Sequence, residues 1–413
     1  MAADPLIPVP GVIQAPVSTA DWNRWQWQMQ NQITSVAALV SLRPDLKNHP
    51  LIQNEPMDEK TLRLAGLRMG ISPWYASLID AGRVDCPILL QGLPRQAEIQ
   101  ADPFIDPDPL AEELYMPVPD LTHRYPDRVL WYLHHSCAVY CRFCMRRRKV
   151  SQPAPAAADQ LDSIVQYIRS QPQIQEVILS GGDPLALADS RLEKILSTLF
   201  SIPQLISIRI HTRMPVVLPM RITPELCAIL RQFFPLNLVT HFNHPQELTA
   251  ASHIALRCLR QAGVQLFNQS VLLKGINDSL AIQSDLARRL IASGVTPAYL
   301  HRADEIPGTA HFHTRLDLGA EIIAGLRGHL PGYAVPRYIV DLPGGGGKVP
   351  HEKTYYQGVI APNHPMDANT PQDKTPAGFG VRRHLFENYE HRQFQIREIE
   401  LRPNPDVSNN GLH

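Results

Sequence analysis

The strongest constraint on the fold is a regular alternation between residues 129 and 300. Short apolar runs of strand-forming residues are each followed by a stretch whose apolar positions recur at helical spacing. The runs fall at 129–133, 176–179, 205–210, 236–240, 265–272 and 296–300, with helical patterns between them at 159–170, 191–200, 224–234, 246–262 and 279–293. Strand and helix patterns in such alternation specify βαβ units and a parallel sheet. Six units followed by a helix at 318–330 predict an α/β fold, an open partial (β/α)6 barrel. Parallel barrels gather their chemistry at the carboxyl ends of the strands, so those ends are the places to look for a site.

The chain of 413 residues would allow two or three domains, yet barrels of about 200–250 residues fold as one unit. We divide it into a helical and extended region at 1–119, the barrel at 120–330, and a C-terminal lysine loop and arm at 331–413, where a Pro/Asn-rich stretch is followed by an arm expected to pair with another subunit. Residues 1–20 are proline-rich and expected to be extended. Trp22, Trp25, Met29 and Ile33 then recur at helical spacing, predicting a helix over 21–33 capped by Asp21, with its aromatics used for packing. Further helices are expected at 58–67 and 74–80, before a proline-laden run at 102–119. The 38 prolines, about 9% against a usual value near 5%, cluster at the two ends and in turns, which predicts extended arms.

Lys plus Arg and Asp plus Glu are both 39, so no general field draws the chain to nucleic acid or to an acidic membrane. Six cysteines, three of them clustered, suit a reducing compartment better than a disulfide framework. The start has no basic segment followed by an apolar run, and no stretch approaches about 18 uninterrupted apolar residues. A cytoplasmic location is therefore expected.

Directly after the first strand stand Cys137, Cys141 and Cys144. Three thiolates so spaced can converge on one metal centre, and a four-iron cubane held by three of them keeps one iron open. A closed zinc site would ask for a fourth Cys or His, an option that His134 and His135 leave open. The second strand ends in Ser180, Gly181, Gly182 and Asp183, where glycines allow close backbone approach beside a carboxylate. His241 follows the fourth strand, Gln269 lies within the fifth, and Asp304 follows the sixth. A further strand-like run at 338–340 delivers Asp341 and then four glycines before Lys348. A phosphate-binding P-loop is excluded there, because Leu342 and Val349 occupy positions that need Gly and Ser or Thr. A lysine on a bare backbone instead suits a flat aldehyde cofactor that its amine can attack.

Across residues 125–350 the chain resembles the lysine 2,3-aminomutase family of radical S-adenosylmethionine (SAM) enzymes that use pyridoxal phosphate (PLP). The segments YPDRVL, CAVYCRFCMRRR, SGGDPL, RMPVVLP, THFNHPQE, NQSVLLKGIND, AHF, GLRGHLPGY and DLPGGGGK carry the likeness, in that order. The resemblance implies a radical-SAM barrel with a helical N-terminal extension and a C-terminal segment carrying the PLP lysine. Cys137, Cys141 and Cys144 would hold a 4Fe–4S cluster whose open iron binds SAM, with Phe143 beside the adenine. Lys348 would carry PLP, Arg128 would contact its phosphate, and Arg124 and Tyr125 would lie near it. Arg146 would grip the substrate carboxylate, while Asp304 and Asp341 would receive a distal cation, since an ammonium taken from water needs counter-charges. Ser180, Gly181, Gly182, Asp183, His241 and Gln269 would surround SAM.

The implied reaction interconverts L-lysine and β-lysine. A 5′-deoxyadenosyl radical abstracts hydrogen, and the amino group migrates from C2 to C3. A flavodoxin- or ferredoxin-type protein would supply the electron, and a homo-oligomer, dimer or tetramer, is implied. Two departures stand out. Family members with a zinc site build it from C-terminal cysteines and one after the KGIND-like motif; here Ser279 follows Asp278 and no Cys follows Cys258, so no zinc is expected. The segment HRADEIPGTAHF also leans toward relatives that modify a lysine of a translation factor. Arginine is the nearest alternative free substrate, and a structural metal site in a binding scaffold is the non-enzymatic one.

Overall fold

The computed structural model describes residues 7–54, 60–61, 67–99, 106–150, 160–360, 379–388 and 390–401. Among these, nine strands form one sheet in strict chain order. β1 (Leu121–Tyr125) and β2 (Arg128–Tyr132) make an antiparallel hairpin. β3 (Glu176–Ser180), β4 (Ser207–His211), β5 (Leu236–Thr240), β6 (Gln265–Leu272), β7 (Thr296–Arg302) and β8 (Arg337–Leu342) then each add parallel to the strand before. β9 (Gly347–Pro350) turns back antiparallel on β8.

The edge strands β1 and β9 form no ladder with one another, so the barrel is partial, as predicted. A side chain bridges the gap: the Tyr125 hydroxyl accepts the Lys348 N–H at 2.8 Å. The six predicted strands are all present, and the 338–340 run becomes a seventh parallel strand, carrying the sheet past residue 330. Between the strands lie helices whose starts are set by side-chain caps, Thr223 for Pro224–Leu230, Thr249 for Ala250–Gln261 and Ser279 for Leu280–Ala292. Each buries one stripe; Leu161–Ser170 buries Leu161, Ile164, Val165 and Ile168. Burial of such side chains contributes roughly 1.5–3 kcal/mol each.

Two expected helices are broken for identifiable reasons. Over 246–262 the Glu247 carboxylate folds back to accept the N–H groups of Asn243 (2.6 Å) and His244 (3.1 Å). That leaves Pro245–Glu247 as a single 3-10 turn, and the helix restarts only at Ala250. At 21–33 the cap is Ser18 rather than Asp21, and the chain forms Thr19–Trp22 and Trp25–Gln30. Asn23 divides them because its amide donates to the carbonyls of Thr19 and Ile7, both at 2.7 Å. Trp22 is fully buried with ring centroids 6.2 Å from Trp27 and 6.4 Å from Trp74, so these aromatics serve packing.

The third expected helix is the short Pro73–Ser77. The expected helix at 58–67, the beginnings of the chain and of the 102–119 run, and the Pro/Asn-rich stretch at 361–378 lie largely or wholly outside the described residues. The N-terminal region shares one continuous apolar core with the barrel. A second core joins Val340, Leu342 and Val349 of β8 and β9 to the helix Leu316–Leu326 and to Phe386 and Ile396. The last two belong to a three-stranded antiparallel sheet of β10 (Tyr356–Val359), β11 (Phe379–Glu387) and β12 (Gln393–Leu401). The arm therefore packs on its own chain's barrel. Among the described residues no helix is long and apolar enough to cross a membrane.

Candidate active site

The cysteine loop leaves the carboxyl end of β2 and is braced from both sides. Gln32 donates to the carbonyls of Cys137 (2.9 Å) and Ala138 (2.8 Å), the Tyr140 N–H reaches Gly70 O (2.8 Å), and the Arg142 N–H reaches Gln91 O (3.0 Å). Beneath it lies the Ser180–Asp183 turn. Gly181 has φ +111°, and a Cβ on Gly182 would sit 2.3 Å from Ser136 O, so both glycines are required by contact with the loop backbone. Burial pushes the Cys144 thiol up to about 11 and Cys137 well above its usual value, and the thiols' charges act on one another. Three thiols close enough for their charges to interact, and unfavourable as free thiolates, fit a cationic iron cluster that neutralises them. Among the described residues no group of three or more His, Cys, Asp or Glu side chains converges as a single metal ion would need.

Phe143 is buried against His241 (5.9 Å), Phe312 (6.3 Å) and the Arg213 guanidinium (5.4 Å). Asp183 is spent within the fold: its carboxylate accepts from Thr212 Oγ1 at 2.6 Å, from the Arg213 N–H at 2.7 Å and from the Leu185 N–H at 3.1 Å. Gln269 lies half-buried on β6 where the pairing with β7 slips, between the buried Asn268 and Ser270. Burial lowers His241 to about 3, and its Nε2 has no partner.

Arg146 is fixed more firmly than its place in a basic run suggests. Glu112 accepts its Nη2 at 2.8 Å and Nε at 3.2 Å, Tyr132 stacks beneath it at 5.0 Å, and Nη1 points to Ser180 Oγ at 3.3 Å. Burial would raise Glu112, but the Arg146 charge outweighs it and holds the carboxyl at about 2. With Nε and Nη2 on Glu112, a second carboxylate would meet the Nη1 edge, which here donates to Ser180 Oγ.

The β8–β9 register places Asp341 opposite Lys348, and the two side chains meet. Lys348 Nζ lies 2.6 and 2.7 Å from the Asp341 oxygens, and His301 Nδ1 lies 3.2 Å from the same carboxylate. The intervening run makes the turn, with Gly344, Gly345 and Gly347 at φ +61°, +85° and +89°, so its glycines answer to backbone geometry. Burial opposes Asp341's charge, yet Lys348 and His301 keep it ionised below the usual range; burial and the Asp341 charge push Asp304 up to about 7. The Lys348 side chain is 43% exposed, while its amine rests on the buried Asp341.

Two arginines expected near PLP differ. Arg128 forks onto Asp127 at 2.8 and 3.0 Å, whereas Arg124 has buried Nε and Nη2 atoms without partners. His211, missed by sequence reading, ends β4 with a buried, unpartnered Nε2 and feels the charges of Arg146, His241 and Lys348. Asp304 likewise feels both Lys348 and Arg146. Charge interactions thus link His211 with His241, Arg146 and Lys348, and Asp304 with Arg146 and Lys348. The only sequence-level signal for His211 was its position at a strand end; Glu112, outside any motif, had none.

Family models match twice: the radical SAM superfamily over residues 131–281 and lysine-2,3-aminomutase over 323–361. An L-lysine 2,3-aminomutase from Fusobacterium nucleatum is 46% identical over 335 residues, covering 81% of this chain and 77% of the relative. One from Clostridium subterminale is 44% identical over 349 residues, covering 84% and 82%. A glutamate 2,3-aminomutase from Clostridioides difficile is 40% identical over 333 residues, covering 80% and 76%. The partial barrel, the three-thiol loop at its mouth and these relatives agree: the chain is a radical SAM isomerase acting on an amino acid, and it belongs to the lysine 2,3-aminomutase family.

Proposed function

We propose that this protein is a PLP-dependent 2,3-aminomutase for L-lysine, forming β-lysine. The observation that carries the reading is the seat around Asp341 and Asp304. An alkylammonium, the chain's own Lys348, already rests there, 2.6 Å from the buried Asp341 carboxylate and within the field of Asp304. Were PLP held on Lys348, that side chain would no longer fill the seat, and Asp341 and Asp304 would be open to another cation. The side-chain ammonium of lysine has the matching chemistry, and a glutamate side chain would meet repulsion.

PLP, when bound, supplies an electron-delocalising imine, and SAM on the cluster supplies the hydrogen-abstracting radical. This chain's residues bind and orient. Arg146 offers its Nη1 edge to the substrate carboxylate, with Glu112 preventing rotation of the fork. Arg124 offers unpartnered buried donors that suit the PLP phosphate. Ser180, Gly181 and Gly182 in the turn under the cysteine loop, His241 against Phe143, and Gln269 on β6 would contact SAM. The test is an anaerobic assay with SAM, PLP and dithionite against lysine, arginine, ornithine and glutamate, resolving α from β products. Conversion of lysine above the others is expected; glutamate as the preferred substrate overturns the reading.

Two further results are expected. Asp304, near pH 7 half neutral, binds a cation better when ionised. The KM for lysine should therefore fall as pH rises from 6 to 8, by up to about tenfold per unit below the pKa, and Asp304→Asn should flatten that profile. Arg124→Gln should weaken PLP retention about ten- to a hundredfold, the value of a charged hydrogen bond or two, while Arg128→Gln costs little because its fork is engaged on Asp127. Fluorescence titration of the apoprotein with PLP reads both.

A further inference from the structure

Arg213 opens the RMPVVLP segment, just beyond β4. It is buried, with 7% exposure, and its donors are almost all committed. Nε reaches His241 O at 3.2 Å; Nη2 reaches Glu247 Oε1 and Gln91 Oε1, both at 2.6 Å, and the Tyr75 hydroxyl at 3.3 Å. Nη1 points the other way and donates to Cys141 Sγ at 2.8 Å. The cage is itself immobile: Glu247 is held by Asn243 and His244 N–H groups, by Tyr75 at 2.9 Å and by Gln91 at 3.0 Å. Glu247 lies behind the guanidinium and Cys141 in front of it. The buried pair therefore acts as a dipole with its positive end on the Cys141 sulfur.

We propose that Arg213 hydrogen-bonds the Cys141 thiolate of the iron–sulfur cluster and makes that cluster easier to reduce. The inference rests on the cluster reading of the three cysteines. Reduction adds one electron, taken from a strong one-electron reductant, to a centre enclosed by protein. No bond breaks and no proton moves, because arginine stays protonated. The added negative charge is stabilised by a fixed cation and by withdrawal of sulfur electron density, and hydrogen bonds to the sulfurs are among the determinants of such potentials. Arg213 is here a positioning residue that acts through the cluster.

The experiment is a dithionite redox titration of the reconstituted full-length enzyme, followed by electron paramagnetic resonance of the reduced cluster, for wild type, Arg213→Gln, Arg213→Lys and Glu247→Gln. Arg213→Gln should make the cluster at least tenfold harder to reduce, a fall of about 59 mV for one electron. Arg213→Lys, which keeps the charge, should fall less. Glu247→Gln removes the opposing charge and should shift the midpoint upward. Opposite signs in the Gln variants are something a purely structural cage would not produce. An unchanged midpoint in Arg213→Gln, shifts of the same sign in both Gln variants, or loss of the cluster from all three variants overturns the proposal. A wild-type protein that assembles no cluster would instead sink the cluster reading itself.

Discussion

Lys348→Ala is expected to abolish turnover, by about a thousandfold or more, while leaving iron content and the cluster's visible absorption unchanged. The amine is the only part of the side chain that reacts with an aldehyde, and it sits on β9, separate from the loop that holds the thiols. A sharper version is Lys348→Arg. The guanidinium keeps the charge that Asp341 faces, so the β8–β9 hairpin retains its ion pair, yet a group that never loses its proton cannot attack a carbonyl. Both variants should be inactive, and only alanine should disturb Asp341, whose ionisation Lys348 sustains. Reductive trapping with borohydride should place PLP on Lys348 of the wild type and on neither variant. Full activity in Lys348→Arg would remove the PLP assignment.

Much of this architecture is local and therefore visible in the chain. Strand and helix periods are set by residues two to four apart, which is why the barrel strands and most helices fall where the alternation puts them. The cysteine loop and Lys348 are legible for the same reason, as spacings within a few residues. What escaped is non-local. Glu112 meets Arg146 across 34 positions, and Arg213 meets Cys141 across 72. No periodicity encodes such pairs. The broken helices are an intermediate case: Asn23 and Glu247 look like ordinary helix residues until their side chains take backbone partners that the fold supplies. The glycines before Lys348 carry a demand that the cofactor-clearance reading did not include: Gly344, Gly345 and Gly347 have positive φ values that the turn itself requires.

Glu98→Gln is expected to cost about 3–5 kcal/mol of stability, the largest structural effect among the side chains of this site. Its carboxylate is fully buried and serves two cations. Arg142 donates through Nε at 3.0 Å and Nη2 at 2.6 Å, and the Arg147 guanidinium closes on the same oxygen. Both arginines belong to the segment that follows Cys141 and Cys144, and Arg147 continues to the carbonyls of Pro307 and Gly308 beside Asp304. Removing the one negative charge leaves two adjacent guanidiniums away from water with only a neutral amide between them, and their repulsion strains the cysteine loop that carries them. Loss of stability should therefore appear together with loss of cluster retention, read as denaturant midpoint and iron per chain.

The pH dependence has a definite sign. Burial would raise Glu98, but Arg142 and Arg147 outweigh it, so its folded value lies below the ordinary 4.5. The contribution is then fully present above pH 4.5 and fades as pH falls through the lower folded value. Wild type and Glu98→Gln should differ most near neutrality and converge in acid. A variant as stable as wild type at pH 7, with its cluster intact, would show that the loop is held by its backbone contacts to Gln32, Gly70 and Gln91 instead.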